Sequence, residues 1–443
     1  MPTSTVSASL YQRPAELLQQ LIRFDTTNPP GNEAGCIHFL DGLLRQAGIQ
    51  TSLLALSPER PNLYARLPGR GEAAPLLLYG HVDVVSTENQ LWQHPPFEGP
   101  IADGYVWGRG ALDMKGGVAM LLAAFLRAKI EGLALPGEVI FCAVSDEENL
   151  GIYGAKYLVE QHAGLFQGVR YALGEFGGFT IHIGGRRFFP IMIAEKQICA
   201  LKVTLRGQGG HGSLPERGGA MAKLAQVLHK LNRQRLPVHV TPAARLMVEN
   251  IAAALPGATG LTLRQLTNPV LTNRILDLLP ERTRTFDPLF HNTVSPTMLS
   301  ASQQLNVIPS EVHLGLDGRL LPGFTPEDML KELRQVLGDQ VELEVVQFDP
   351  GPAEPDMGLF DRLADILRQA DPGSVPVPLL LSGVTDARFF SRLGIQTYGY
   401  LPMRLPQDFN FSSTIHAADE RIPVEALDFG AQAIYQALQR FGS

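Results

Sequence analysis

The feature that most constrains this chain is the run Leu76-Leu77-Leu78-Tyr79-Gly80, which ends in His81-Val82-Asp83. A short apolar run bounded by Pro or Gly reads as a buried strand. Strand side chains alternate between two faces, so a strand continued through residue 83 puts His81 and Asp83 on the same face. That placement suits a metal-ligating imidazole with a carboxylate beside it to orient the ring. Two more polar knots follow. One is Gly108-Arg109-Gly110-Ala111-Leu112-Asp113-Met114-Lys115; the other is Ser145-Asp146-Glu147-Glu148, directly after the apolar run 139–144. A histidine with several carboxylates at strand ends is how a hydrolytic metal site looks in sequence.

Around the central run, strand patterns over 51–56, 62–67, 139–144 and 171–173 alternate with helical spacing over 14–24, 34–48, 117–131 and 154–162. Such alternation predicts an α/β fold with a mainly parallel sheet covered by helices on both faces. Ligands of such sheets bind beyond the C-terminal strand ends. His81, Asp113, Glu147, Glu148 and Glu175 all fall at such ends or just after them.

A chain of 443 residues is long for one core, and two domains are expected. The pattern changes near residue 197. Stretches 198–206 and 312–319 alternate apolar with polar, as half-solvated antiparallel strands do. Helices at 218–234 and 326–337 and a strand at 341–346 complete a small α+β domain over 197–348. It is inserted into a larger domain made of 1–196 and 349–443, with the Pro-rich 349–355 as the return linker and helices at 358–370 and 423–440 beyond it. Segment 245–300 has helix-like stretches at 262–266 and 270–279 but no evident place in that scheme.

Other classes are disfavoured. A net charge of −7 invites neither nucleic acid nor an acidic membrane. No apolar run approaches the roughly 20 residues that span a bilayer, and residues 1–12 lack a signal-peptide pattern. Cys36, Cys142 and Cys199 form no CxxC pair, so a reducing cytoplasm is expected. His162, His182, His229, His239, His291 and His313 stand in no comparable setting and read as structural or surface residues.

Taken in order, Phe24-Asp25-Thr26-Thr27-Asn28-Pro29-Pro30, Gly80-His81-Val82-Asp83-Val84, Gly108-Arg109-Gly110 through Asp113-Met114-Lys115-Gly116-Gly117, and Asp146-Glu147-Glu148 resemble the M20 family of dinuclear zinc amidohydrolases, with a zinc-exopeptidase-like fold. The resemblance implies two Zn2+ per chain, with Co2+ or Mn2+ as open alternatives. His81 and Glu175 would serve one metal, Glu148 and His416 the other, and Asp113 would bridge them. Glu147 would be the general base toward a water between the metals, and Asp83 would orient His81. The inserted domain would be a lid and dimerisation domain of a homodimer, whose His211 helps stabilise the oxyanion. Arg319 would grip the substrate carboxylate, assisted by Asn306, Gly383 and Thr385. The implied reaction is hydrolysis of an amide bond in an N-acyl amino acid or short peptide with a free carboxylate. A zinc aminopeptidase or dipeptidase and a non-catalytic binding homologue are the alternatives; Arg319 favours the first reading, and an intact Glu147 argues against the last. The chain departs from the family pattern at Phe176, where an acidic residue is more often followed by Gly or Pro. The segment Ala417-Ala418-Asp419-Glu420 after His416 matches only loosely.

Overall fold

The computed structural model describes residues 9–278 and 286–442. They form two compact units: one running to Ile193 and resumed over Asp356–Leu379 and from Thr385, the other comprising Ala194–Pro355 and Leu380–Val384.

Nine strands among the described residues, nearly all of their length in the first unit, form one mixed sheet. Its order is Thr51–Ala55, Pro61–Leu67, Val139–Val144, Leu76–His81, Tyr171–Gly174, Gln396–Gly399, Arg186–Glu195 and Val375–Leu381, with Ile181–Ile183 paired to Arg186–Glu195. The middle pairings are parallel and the outer ones at the first edge antiparallel. The chain is therefore α/β, and the central run is buried on both faces. Leu77 and Tyr79 join Ile140, Cys142, Ala155, Leu158 and Phe390 in one apolar cluster. On the opposite face, a Cβ on Gly80 would lie 2.6 Å from Met114 Cε and 2.9 Å from Val118 Cγ2, so the missing side chain lets the helix Lys115–Ile130 close onto the strand. That helix begins at Lys115, two residues before the expected start. Gly116 accounts for the difference, because its Cα approaches the Ala111 carbonyl so closely that a Cβ would sit 2.1 Å from the oxygen. The strand ends at His81, not at residue 83.

The second unit holds a four-stranded antiparallel sheet in the order Thr293–Ser300, Glu311–Leu320, Gln197–Arg206 and Glu342–Asp349. Helices Ala220–Arg233 and Pro326–Leu337 cover one face through Leu224, Val227, Met329 and Leu333, which pack on Leu201, Val203, Leu314 and Leu316. The second helix starts at a capping box: Thr325 Oγ1 accepts from Asp328 N, and Asp328 Oδ2 accepts from Thr325 N at 2.9 Å. Helices Pro242–Ala254, Gly257–Arg264 and Pro269–Leu278 fill the segment that had no place, and residue 279 lies outside the described residues. The edge strand Thr293–Ser300 did not show in the sequence; most of it is exposed, and its register shifts at Pro296, which breaks the alternation. The linker 349–355 belongs with the second unit as far as Pro355, where Gly351 N donates to Gln197 Oε1 at 2.8 Å.

No helix of the described residues is long and apolar enough to cross a membrane. All three cysteines are free and buried.

Candidate metal centre

Four loops of the first unit meet at the C-terminal ends of the parallel strands. His81 closes its strand with its ring buried. Its Nδ1 lies 3.0 Å from the backbone oxygen of Asp83. A carbonyl only accepts, so Nδ1 carries the hydrogen and Nε2 presents its lone pair. The Asp83 carboxylate is 3.5 Å from the same nitrogen. It is engaged elsewhere, accepting from Glu147 N and Glu148 N, each at 3.1 Å, and from Asn28 Nδ2 at 2.8 Å. The shorter orienting contact to His81 is thus made by the Asp83 backbone, because the chain leaves the strand at residue 81, while the carboxylate keeps a longer one to the same nitrogen. The side chain also anchors the loop that carries Glu147 and Glu148.

Two donor clusters share one residue. Asp113 Oδ1 lies 3.1 Å from His81 Nε2, which lies 3.6 Å from Glu175 Oε2. On its other side Asp113 Oδ2 lies 3.3 Å from His416 Nε2, itself 3.3 Å from Glu148 Oε2. His81, Asp113 and Glu175 form one group able to hold a metal ion, and Asp113, Glu148 and His416 a second. Tetrahedral ligands about 2.0–2.1 Å from a zinc ion stand roughly 3.3 Å apart, close to these separations. Glu148 Oε1 and Glu175 Oε1 are buried without a hydrogen-bond partner, as expected of oxygens shaped for a cation.

The electrostatics agree with that fit. Burial alone would keep His81 neutral, but hydrogen bonds to Asp113, Asp83 and Glu175 raise its pKa well above the usual imidazole value. Asp113 and Glu148 raise His416 to about 10. Burial opposes ionisation of Asp113, yet the two imidazoles hold its carboxyl below the usual range. Burial and then the Asp113 charge push Glu148 up to about 7. Protons thus compensate a concentration of carboxylates, and a divalent cation competes for the same lone pairs. Glu147 is half-buried beside this set, with its pKa raised by burial and next by the Glu175 charge.

Several neighbours of the site had no role assigned from the sequence. Asn28 donates both to Asp83 and, at 3.0 Å, to Asp146 Oδ1, so the early loop motif is a clamp on the Glu147 loop. Its signal was the asparagine inside a Pro-rich loop. Asp386 is buried with neither carboxyl oxygen hydrogen-bonded, and burial raises it to about 8. Phe176 has φ of 63°, a backbone region that favours Gly, and packs edge-on to Phe411 at 6.1 Å. Phe179 stacks on Phe411 at 4.0 Å, so these rings join the Glu175 and His416 segments.

The remaining candidates are divided between the two units. Thr385 is buried in the first; His211, Asn306, Arg319 and Gly383 belong to the second. His211 is exposed on a short strand, and its Nδ1 accepts from Ser213 N at 3.2 Å, which makes Nε2 the N–H of the neutral ring. The Asn306 carbonyl accepts from Gly212 N at 2.8 Å. Arg319 already engages Asp317 through two nitrogens, at 2.7 and 3.2 Å.

The profile of Peptidase family M20/M25/M40 matches residues 77–440. The chain belongs to this family. It is 30% identical over 383 residues to the N-fatty-acyl-amino acid synthase/hydrolase of Bos taurus, covering 82% of this chain and 74% of that one. It is 28% identical over 440 residues to a succinyl-diaminopimelate desuccinylase of Methylorubrum extorquens, covering 94% of this chain and 95% of that one. The fold is similar to that of an M20 family metallo-carboxypeptidase from Sulfolobus solfataricus, with a TM-score of 0.71 at 16% identity over 97% of this chain and 99% of that one. This M20 chain is a metal-dependent amide hydrolase, and the paired donor clusters are its candidate dinuclear metal site.

Proposed function

We propose that this M20 enzyme hydrolyses the amide bond of an N-acyl amino acid or a short peptide with a free carboxylate. The observation that carries the reading is the pair of donor clusters sharing Asp113, with Glu147 beside them and ligating neither. The donor set of imidazole and carboxylate fits two Zn2+ ions, with Co2+ or Mn2+ as substitutes. Such ions would acidify the attacking water and polarise the scissile carbonyl. Glu147, beside the clusters and in neither of them, takes the proton of that water and returns it to the leaving amine. His211 donates its Nε2–H to the oxyanion. Arg319, steadied by Asp317, binds the substrate carboxylate with help from Asn306, Gly383 and Thr385.

Two relatives are named for acylated substrates, one fatty-acyl and one succinyl, which supports an N-acyl amino acid over a longer peptide. The second unit serves as the lid and dimerisation domain. Its edge strand Thr293–Ser300, with Met298 and Leu299 exposed, supports a homodimer built there. Free cysteines support a cytoplasmic setting. The deciding experiment assays the zinc-loaded protein on N-acyl amino acids, dipeptides and C-terminally amidated peptides, following free amine. Cleavage of the first two classes is expected. Turnover confined to amidated peptides would mark an aminopeptidase instead.

A further inference from the structure

The acidic pair after His416 takes no part in the donor clusters, yet the Glu420 side chain is fully buried. Each of its oxygens accepts two hydrogen bonds. Oε2 takes Arg109 Nη1 at 2.7 Å and Gly110 N at 3.1 Å; Oε1 takes Leu112 N at 2.8 Å and Asp113 N at 3.1 Å. Gly108 N donates to the Glu420 backbone oxygen at 2.9 Å. The stretch 108–114 lies between the strand Tyr105–Trp107 and the helix Lys115–Ile130, so most of its amides have no ladder to join. One carboxylate collects three of them. Arg109 then reaches onward: its Nη2 donates to Gln90 Oε1 at 2.7 Å and to the His416 carbonyl at 3.3 Å, and Gln90 Nε2 donates to that carbonyl at 2.9 Å. His416 itself has φ of 61°, so its backbone needs external support to stay in that region.

Stability alone does not call for such a pair. Buried ion pairs are often matched or bettered by apolar packing of similar volume. What a fully bonded carboxylate does, and packing does not, is set the direction of each amide it binds. Asp113 is the one residue common to both donor clusters, and His416 lies four residues before Glu420 on the same segment. We propose that Glu420, together with Arg109, is a positioning residue: it holds the Asp113 backbone in register with His416 and so sets the geometry of both metal positions. The proposal rests on the two-metal reading above.

Glu420→Gln tests it, because whichever way the amide is turned its NH2 faces N–H donors. Three readouts apply. In the metal-free protein, hydrogen exchange in a peptide spanning 108–114 should accelerate. Affinity for Co2+, measured by chelator competition, should fall about 10–100-fold at both positions, the usual cost of losing an outer partner of a ligand. The visible absorption of the Co2+-loaded protein should change, and kcat should fall with little change in KM. Folded Glu420→Gln that binds two Co2+ with wild-type affinity and spectrum would overturn the proposal. If that variant does not fold, Glu420→Asp decides by the same readouts, since it keeps the charge but withdraws the oxygens by one methylene. Wild-type protein that takes up only one Co2+ would remove the two-metal reading itself, which separates the two failures.

Discussion

Glu147 and Glu148 are adjacent, yet their carboxylates differ in what they touch: Glu148 Oε2 faces His416 Nε2, whereas Glu147 belongs to neither donor cluster. Glu147→Gln should therefore retain the full metal complement and lose turnover by about 10²–10⁴-fold, the range of general acid–base catalysis. Metal analysis with steady-state rates checks this, and near-wild-type kcat would remove Glu147 from the proton path. Asp113→Ala should empty both metal positions, and His416→Ala mainly one, because one residue is shared and the other is not. Metal content per chain reads the difference. Arg319→Ala should raise KM, and amidating the substrate carboxylate should harm the wild type far more than the variant, since the two losses concern one charge-assisted pair. Additive losses would show that Arg319 serves Asp317 and not the substrate.

At the scale of elements, the site depends on how closely the helix Lys115–Ile130 approaches the loop before it. Gly116→Ala forces a Cβ to 2.1 Å from the Ala111 carbonyl, which flexible side chains cannot relieve because the obstacle is backbone. It should destabilise the protein by about 1–3 kcal/mol, the usual cost of overpacking, and weaken metal binding by moving Asp113. Gly42 offers the opposite case: it lies within the helix Ala34–Gln46, and a Cβ there meets nothing within 4 Å. Gly42→Ala should stabilise by about 0.4–1 kcal/mol through the unfolded chain. Denaturant midpoints of the two variants test the pair. The loops at the sheet's end are held the same way throughout: Asp83 gathers the amides of Glu147 and Glu148, and Asp146 accepts from Tyr153 N at 3.0 Å and pairs with Arg60.

For the whole molecule, stability and metal content are coupled. A folded state that gathers three carboxylates and two imidazoles binds metal where the unfolded chain does not, so ligand binding stabilises it by mass action. Removing metal with a chelator should lower Tm, and restoring Zn2+ should recover it, with about 4 kcal/mol at stake when free metal is a thousandfold above Kd. An unchanged Tm on chelation would show that the donor clusters stay empty in solution. The second unit has its own core and its own sheet, so its unfolding need not track metal. Two calorimetric transitions, only one of them metal-dependent, are the expected form.

Much of this was readable from residue order alone. Apolar runs closing in His81 and in Ser145 marked strand ends, and strand ends of a parallel sheet converge, so His81, Glu148 and Glu175 could be placed together from the sequence; Asp113 instead follows Tyr105–Trp107, a strand of a separate small antiparallel sheet, and no strand-end pattern locates it. Local pattern suffices there because burial on both faces leaves one way to read a run such as Leu76–Gly80. The edge strand Thr293–Ser300 and the helix Pro242–Ala254 were not readable, and the helix-like stretches 262–266 and 270–279 could be read but not placed, since exposed edges carry weak periodicity and neighbours far along the chain decide position. Nor could sequence show that the Asp83 carboxylate holds amides while its backbone orients His81, or that Glu420 gathers the loop bearing Asp113 from some three hundred residues away. A hydrogen bond depends on tenths of an ångström and on direction, and only the assembled chain supplies both.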